Sequence, residues 1–243
     1  MSKKINIITL GCSKNTVDSE HLAAQLAAMD YKVVFDSDRT DADVVVINTC
    51  GFIGDAKQES VETILRAAQL KEAGKIEELF VVGCLSQRYA DELRPELPEV
   101  DDFFGVNDWA GIVERLGAKW REENATKREL STPSHYAYLK ISEGCNWMCG
   151  YCAIPLIRGR HKSVPMEKLI EEAEALVAGG VREIMVIAQD TTYYGVDIYG
   201  ERKLAELLER LCRIEKLEWV RLHYAYPTDF PQEVIDVMAR EKK

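Results

Sequence analysis

The sequence lacks any apolar run long enough to cross a membrane. Its start places Lys3 and Lys4 before a short apolar run that ends at Gly11, which is too short for the core of a signal peptide. Basic residues are also scarce, with 31 lysines and arginines against 41 acidic residues and a net charge of -10. This balance argues against a broad surface for nucleic acid and favours a basic protein partner. We therefore predict a cytoplasmic chain that binds no membrane and no nucleic acid directly.

The chain also has no low-complexity tract and no internal repeat beyond an alternation of strands and helices. Hydrophobic residues make up 47% and charged residues 30%, which is typical of a soluble globular protein. Short β-branched runs alternate with helical stretches in the first half, a pattern that indicates a parallel sheet covered by helices. The predicted strands are 5–10, 31–35, 44–49, 79–83 and 102–106. We predict one doubly wound α/β domain over residues 1–116.

A second domain is predicted after a linker. Hydrophobic periodicity fades over residues 117–136, where charges and a proline accumulate. Further strands are then predicted at 137–142, 182–188 and 218–224, each followed by a helical stretch. Three such units are about half of the ~250 residues of a closed (β/α) barrel. Residues 137–243 are therefore predicted to form the first half of a partial barrel, and the chain is expected to be a fragment.

Three of the seven cysteines lie in one short loop directly after a predicted strand. Cys145, Cys149 and Cys152 form a C-x3-C-x2-C run, which lets three thiolates surround one inorganic core. Three protein ligands on a four-iron cluster leave one iron open for chemistry. A zinc site with His161 as the fourth ligand is the alternative.

Three further cysteines are far apart in the sequence but occupy equivalent places. Cys12, Cys50 and Cys84 each follow a predicted strand, and each is next to a glycine. The carboxyl ends of parallel strands form the ligand crevice in open α/β sheets, so we expect the three thiols to converge there. The alternative is that each is a small apolar residue at a strand end.

The remaining candidates are weaker. Cys212 lies on the apolar face of a helical run and is predicted to be a core residue. Gln189 and Asp190 end the second strand of the partial barrel, where barrel chemistry is found, and are candidates for cofactor binding. A basic run after the cysteine loop either holds an anion or forms a solvated face; it contains Arg158, Arg160 and His161.

The cysteine loop, with Tyr151 directly before its last cysteine, resembles the cluster loop of the radical S-adenosylmethionine superfamily. The resemblance implies that the open iron binds S-adenosylmethionine and that Tyr151 lies against its adenine. The dispersed Cys12, Cys50 and Cys84 are similar to the cysteines of the methylthiotransferases within that superfamily. This likeness implies a second 4Fe-4S cluster on the N-terminal domain.

Three short segments, 9–19, 48–53 and 153–161, resemble the members of that family that act on ribosomal protein S-twelve. The resemblance implies a methylthio group inserted at the β-carbon of an aspartate, with the small ribosomal subunit as partner and an external electron donor and a sulfur donor. A methylthiotransferase acting on adenosine in transfer RNA stays open as one alternative. A non-catalytic zinc or iron–sulfur scaffold is the other.

Overall fold

The structure is a computed structural model that describes residues 3–39 and 41–243, and it divides into two compact units. The first unit runs to Ala125 and also includes Leu156–Arg158, and the second comprises Thr126–Pro155 and Gly159–Lys243. The predicted linker, 117–136, is divided between the two units, and Trp120 within it packs against the core of the first. None of the helices in the described part of the chain is long and apolar enough to cross a membrane.

The first unit is built on a parallel sheet. Its strands are β1 (Lys4–Thr9), β2 (Lys32–Phe35), β3 (Val44–Thr49), β4 (Glu78–Gly83) and β5 (Asp102–Phe103). Its helices are α1 (Ser13–Ala27), α2 (Gly54–Glu72), α3 (Cys84–Glu96) and α4 (Trp109–Arg115), followed by a 3-10 turn at Glu122–Asn124. Within the described residues the strand order is β2-β1-β3-β4-β5, with every neighbouring pair parallel. The predicted doubly wound fold is confirmed.

The central strand β3 explains why helices cover both faces of this sheet. All six of its residues are buried, and the first four, 44–47, form an apolar run of the kind expected for a central parallel strand. Val44 and Val46 pack with residues of α1 and α4, whereas Val45 and Ile47 pack with residues of α2 and α3. Successive side chains of a strand point to opposite faces, so the run requires an apolar layer on each side.

The last predicted strand of this unit is shorter than expected, because the chain leaves the sheet early. Phe104 still donates its backbone N–H to the Val81 carbonyl at 2.8 Å. The N–H of Val106 instead reaches the side-chain oxygen of Gln87 on α3, at 3.2 Å. β5 therefore pairs with β4 over two residues instead of the predicted five.

The second unit contains another parallel sheet. Its elements in chain order are β6 (Tyr136–Lys140), β7 (Ser142–Glu143), α5 (Ile154–Arg158, shared with the first unit), β8 (Lys162–Ser163), α6 (Met166–Ala178), β9 (Glu183–Ile187), a 3-10 turn (Thr191–Tyr193), α7 (Val196–Tyr199), α8 (Leu204–Cys212), β10 (Trp219–Leu222) and α9 (Gln232–Arg240). In the described residues β6, β9 and β10 pair in parallel in the order β10-β9-β6. Leucines of α6 and α8 join the core of this sheet. The first half of a (β/α) barrel is confirmed.

An antiparallel pair that the sequence did not predict closes the cysteine loop at its base. The predicted strand 137–142 breaks at Ile141, and Ser142 and Glu143 pair with Ser163 and Lys162. Gly144 follows with φ +73°, and an added Cβ there would collide with the Arg160 carbonyl. Residues 144–161 thus form a loop whose two ends are held together.

A buried ion pair stabilises the second unit, and it gives a stability prediction. Arg128 and Glu172 lie 2.7 Å apart, and their side chains are 1% and 8% exposed. We expect Arg128→Met to lower the free energy of unfolding by about 3 kcal/mol, because it leaves a buried carboxylate without this cation. The double variant with Glu172→Met should regain part of that loss. Chemical denaturation measures both.

The control is Arg210→Met, which removes a partner of the exposed Glu167 and should change stability little. A double variant as unstable as Arg128→Met would contradict the prediction.

Candidate metal centres

The structure brings Cys12, Cys50 and Cys84 together at the carboxyl edge of the first sheet. A Cβ added to Gly11, beside Cys12, would lie 2.8 Å from the Cβ of Cys50. One added to Gly51, beside Cys50, would lie 2.7 Å from the carbonyl carbon of Cys84. Gly11 and Gly51 therefore let the backbone pass close to the next cysteine of the group.

Two of these cysteines also stand at the beginnings of long helices. Cys12 is the N-cap residue of α1, and Cys84 is the first residue of α3. The side chain of Cys12 makes no capping hydrogen bond to α1. Sequence reasoning placed these cysteines after strands but missed that they also begin helices.

Asn15 ties together the two strand ends that carry the first pair of cysteines. It is fully buried, and its side-chain Nδ2 donates to the carbonyls of Leu10 at 2.8 Å and Thr49 at 3.1 Å. Leu10 follows β1 and Thr49 ends β3, so one amide fixes the spacing between the chain at Cys12 and the chain at Cys50. Sequence reasoning had no signal for this residue.

Cys84 is the most buried cysteine of this group. Burial raises the pKa of its thiol, and the hydrogen-bonded guanidinium of Arg158 opposes that rise. A buried thiol gives up its proton when a cation or a metal takes the place of the lost hydration. Thiolates are the donors that hold iron–sulfur clusters, so the chemistry of these three side chains fits such a group.

The second group, Cys145, Cys149 and Cys152, lies in the loop that β7 and β8 close. All three are half-buried, and the N–H of Cys152 donates to the carbonyl of Cys149 at 3.0 Å. Burial raises the pKa of the Cys145 thiol, which a hydrogen bond from the backbone of Trp147 partly offsets. Tyr151 is 93% exposed. These thiols also fit a three-thiolate cluster site by their chemistry and spacing.

Asp190 anchors this loop. Its Oδ2 accepts a hydrogen bond from the indole Nε1 of Trp147 at 2.7 Å, and its Oδ1 accepts from the backbone of Thr192 at 2.9 Å. The Trp147 ring also stacks on Tyr226, with centroids 4.6 Å apart. Both carboxylate oxygens are therefore engaged by protein donors, which points to a positioning role. Trp147 and Tyr226 were not singled out from the sequence.

His161 holds the other side of the loop. Its backbone N–H donates to Asn146 Oδ1 at 3.1 Å, and its Nε2 lies 3.0 Å from Ser163 Oγ. Burial lowers the pKa of the imidazole, although Asp197 nearby opposes the shift. Within the described residues no three His, Cys, Asp or Glu side chains are close enough to bind one metal ion.

The seventh cysteine differs from its sequence interpretation. Cys212 was predicted to be a core residue, but it is half-buried. It is the last residue of α8, where the chain turns away from the apolar face formed by Leu207, Leu208 and Leu211. It therefore lies at the margin of the core.

Comparisons with known proteins agree with the division of the chain into two units. Residues 4–105 match the Uncharacterized protein family UPF0004, and residues 139–242 match the Radical SAM superfamily. A curated "Ribosomal protein uS12 methylthiotransferase RimO" from Phocaeicola vulgatus is 56% identical over 96% of this chain and 54% of its own length. The corresponding proteins of Bacteroides fragilis and Porphyromonas gingivalis are 56% and 53% identical, each over 97% of this chain. The chain thus spans about half the length of these relatives.

Solved structures give the same fold at low identity. The radical S-adenosylmethionine methyltransferase TsrM from Kitasatospora setae, solved with cobalamin and a [4Fe-4S] cluster, matches with a TM-score of 0.62 at 13% identity, over 98% of this chain and 59% of that one. The cobalamin-dependent radical enzyme OxsB matches with a TM-score of 0.57 at 10% identity, over 90% of this chain and 38% of that one. These solved structures show the fold alone, whereas the curated relatives make the chain similar over nearly its whole length to methylthiotransferases, and residues 139–242 belong to the Radical SAM superfamily.

Proposed function

We propose that this chain forms the two cysteine-ligated centres of a methylthiotransferase that modifies ribosomal protein uS12. The reaction would replace a hydrogen on the β-carbon of an aspartate by a methylthio group. The observation that carries the proposal is the 56% identity to a curated uS12 methylthiotransferase across a chain that contains both groups of three cysteines. Because the chain spans about half of that relative, the activity is proposed for the whole protein.

Each group of cysteines would hold one four-iron cluster. Cys145, Cys149 and Cys152 would leave one iron open to S-adenosylmethionine, and the group at the edge of the first sheet would hold the second cluster. When bound, the two clusters and S-adenosylmethionine would supply the reductive cleavage of a sulfonium and the radical that removes hydrogen from an unactivated carbon. They would also supply the sulfur to be inserted.

The chain's own residues would orient these groups. The β7–β8 pair and the Trp147–Asp190 hydrogen bond fix both ends and one side of the cysteine loop, so the three thiols have little freedom. Gln189 donates its amide N–H to Glu143 at 3.2 Å, and its buried Oε1 has no hydrogen-bond partner among the described residues. This oxygen supports a role for Gln189 in binding S-adenosylmethionine. Tyr151, at the exposed tip of the loop, would cover the adenine.

The proposal also requires partners. An external donor must supply electrons, and a sulfur donor must restore the inserted sulfur after each turnover. Direct binding of nucleic acid by this chain is not expected, because acidic residues outnumber basic ones by 41 to 31.

The test begins with anaerobic reconstitution of the full-length protein with iron and sulfide. About eight irons and eight sulfides per chain are expected for two four-iron clusters. Incubation with uS12, S-adenosylmethionine and a strong reductant should then produce 5′-deoxyadenosine and increase the mass of uS12 by one methylthio group in place of hydrogen.

Other outcomes would identify the alternatives. One or two zinc ions per chain would favour a scaffold. Methylthio groups on transfer RNA, with unmodified uS12, would favour the RNA-modifying relatives, and their binding should weaken steeply with salt.

The close packing at Gly51 gives a further prediction. A Cβ at this position would press on the backbone of Cys84, whereas a Cβ at Gly54, three residues on, would meet nothing within 4 Å. We expect Gly51→Ala to reduce bound iron from about eight to about four per chain, because it displaces one ligand of the first-unit site. Gly54→Ala should retain about eight. Equal amounts of bound iron in the Gly51→Ala and Gly54→Ala proteins would contradict this prediction.

A further inference from the structure

A buried arginine contacts the residues that surround the first-unit cysteines. The side chain of Arg158 is 2% exposed, and Leu156–Arg158 belong to the first unit. Its Nη2 donates to Asn15 Oδ1 at 2.5 Å, and its Nη1 lies 3.5 Å from Asp18 Oδ2. The same Asn15 oxygen is 4.0 Å from the sulfur of Cys12. A permanent positive charge is therefore separated from one thiol by a single amide oxygen.

The same guanidinium also reaches a second thiol, because it forms a hydrogen bond with Cys84. Arginine is weakly hydrated and has five N–H donors in a rigid plane, so one side chain can bind several acceptors at once. The paired carboxylate of Asp18 is itself buried, at 5% exposure. Charge interactions are stronger in a buried site than in water, so the charges of Arg158 and Asp18 both act on a cluster held by these thiols.

We propose that Arg158 is a positioning residue that raises the reduction potential of the cluster held by Cys12, Cys50 and Cys84. Hydrogen bonds to the ligand sulfurs and nearby charge are among the factors that set the potential of a cluster. Reduction adds one negative charge, which a fixed cation stabilises. The inference rests on the proposed function in one respect, since it requires a cluster at this site.

The test isolates the first-unit site. The full chain carrying Cys145→Ala, Cys149→Ala and Cys152→Ala is reconstituted, and the remaining cluster is titrated with reductant while its electron paramagnetic resonance signal is recorded. In this background Arg158→Gln should lower the ratio of reduced to oxidised cluster at a fixed potential at least about tenfold, which is about 59 mV for a one-electron couple. Arg158→Lys, which keeps the charge, should restore part of the shift.

Two further variants separate charge from packing. Arg160→Gln removes an exposed arginine two residues away and should leave the potential unchanged. Asp18→Asn keeps the size of the side chain but removes the negative charge beside Arg158, so it should shift the potential in the positive direction. A potential that does not respond to charge at this buried pair predicts no shift in either variant.

The outcomes distinguish this inference from the proposed function. If the background protein binds no iron, the second cluster of the proposed function fails and the role of Arg158 fails with it. If iron binds but Arg158→Gln leaves the potential unchanged, the inference alone is overturned. Should Arg158→Gln prevent iron binding, Asp18→Asn decides, because an unchanged or more negative potential would overturn the inference.

Discussion

Replacing Cys145, Cys149 and Cys152 by alanine is expected to remove about four of about eight irons per chain and to reduce formation of 5′-deoxyadenosine to background. The three thiols are the protein ligands that the loop offers, and alanine leaves no donor atom. The prediction is measured by iron and sulfide analysis and by chromatography of the reaction mixture, using the full-length protein.

The matched control for this experiment is Cys212→Ala. Cys212 is half-buried at the end of α8, away from both cysteine groups in the sequence, and its removal should leave about eight irons in place. Full iron content and unchanged 5′-deoxyadenosine in the triple variant would exclude the loop as the catalytic site.

Replacing Cys84 by alanine is expected to separate the two halves of the reaction. Iron should again fall from about eight to about four per chain. Cleavage of S-adenosylmethionine should continue, because the loop in the second unit is intact, but the methylthio group should no longer appear on uS12. Cys84 is the most informative member of its group, since it is buried, begins α3 and contacts Arg158.

Cys50→Ala should give the same phenotype as Cys84→Ala, because both residues would hold the same cluster. Mass spectrometry of uS12 and quantification of 5′-deoxyadenosine in one reaction measure both halves together. A Cys84→Ala protein that still transfers the methylthio group would show that the dispersed cysteines have no part in sulfur insertion.

Local patterns in the sequence predicted the strands that position Cys12, Cys50 and Cys84. The β-branched run at 44–49 was predicted as a strand, and the structure has β3 over the same residues. The convergence of Cys12, Cys50 and Cys84 followed from their places after parallel strands. The strand assignments depend on residues close together in the chain, for which periodicity is sufficient, and the shared carboxyl edge of parallel strands then brings the distant cysteines together.

The missed features depend on contacts between residues far apart in the chain. Asp190 accepts from Trp147, 43 residues earlier, and Arg158 reaches Asn15, 143 residues earlier. The basic run that contains Arg158 was interpreted as an anion site or a solvated face, whereas this arginine is buried. The strands β7 and β8 have two residues each, too few to show any alternation.

The scattering of three cysteines over separate strand ends has a consequence for the order of assembly. Cys145, Cys149 and Cys152 are neighbours in the chain, so an unfolded polypeptide can already wrap them around iron. Cys12, Cys50 and Cys84 meet only after β1, β3 and β4 have paired, and a ligand that needs all three selects the folded sheet. Such a ligand stabilises the folded unit to the extent that it binds the folded sheet more tightly than it binds the unfolded chain. Loading of the first centre therefore has to follow the pairing of β1, β3 and β4, whereas the second centre can be loaded before its own unit has folded.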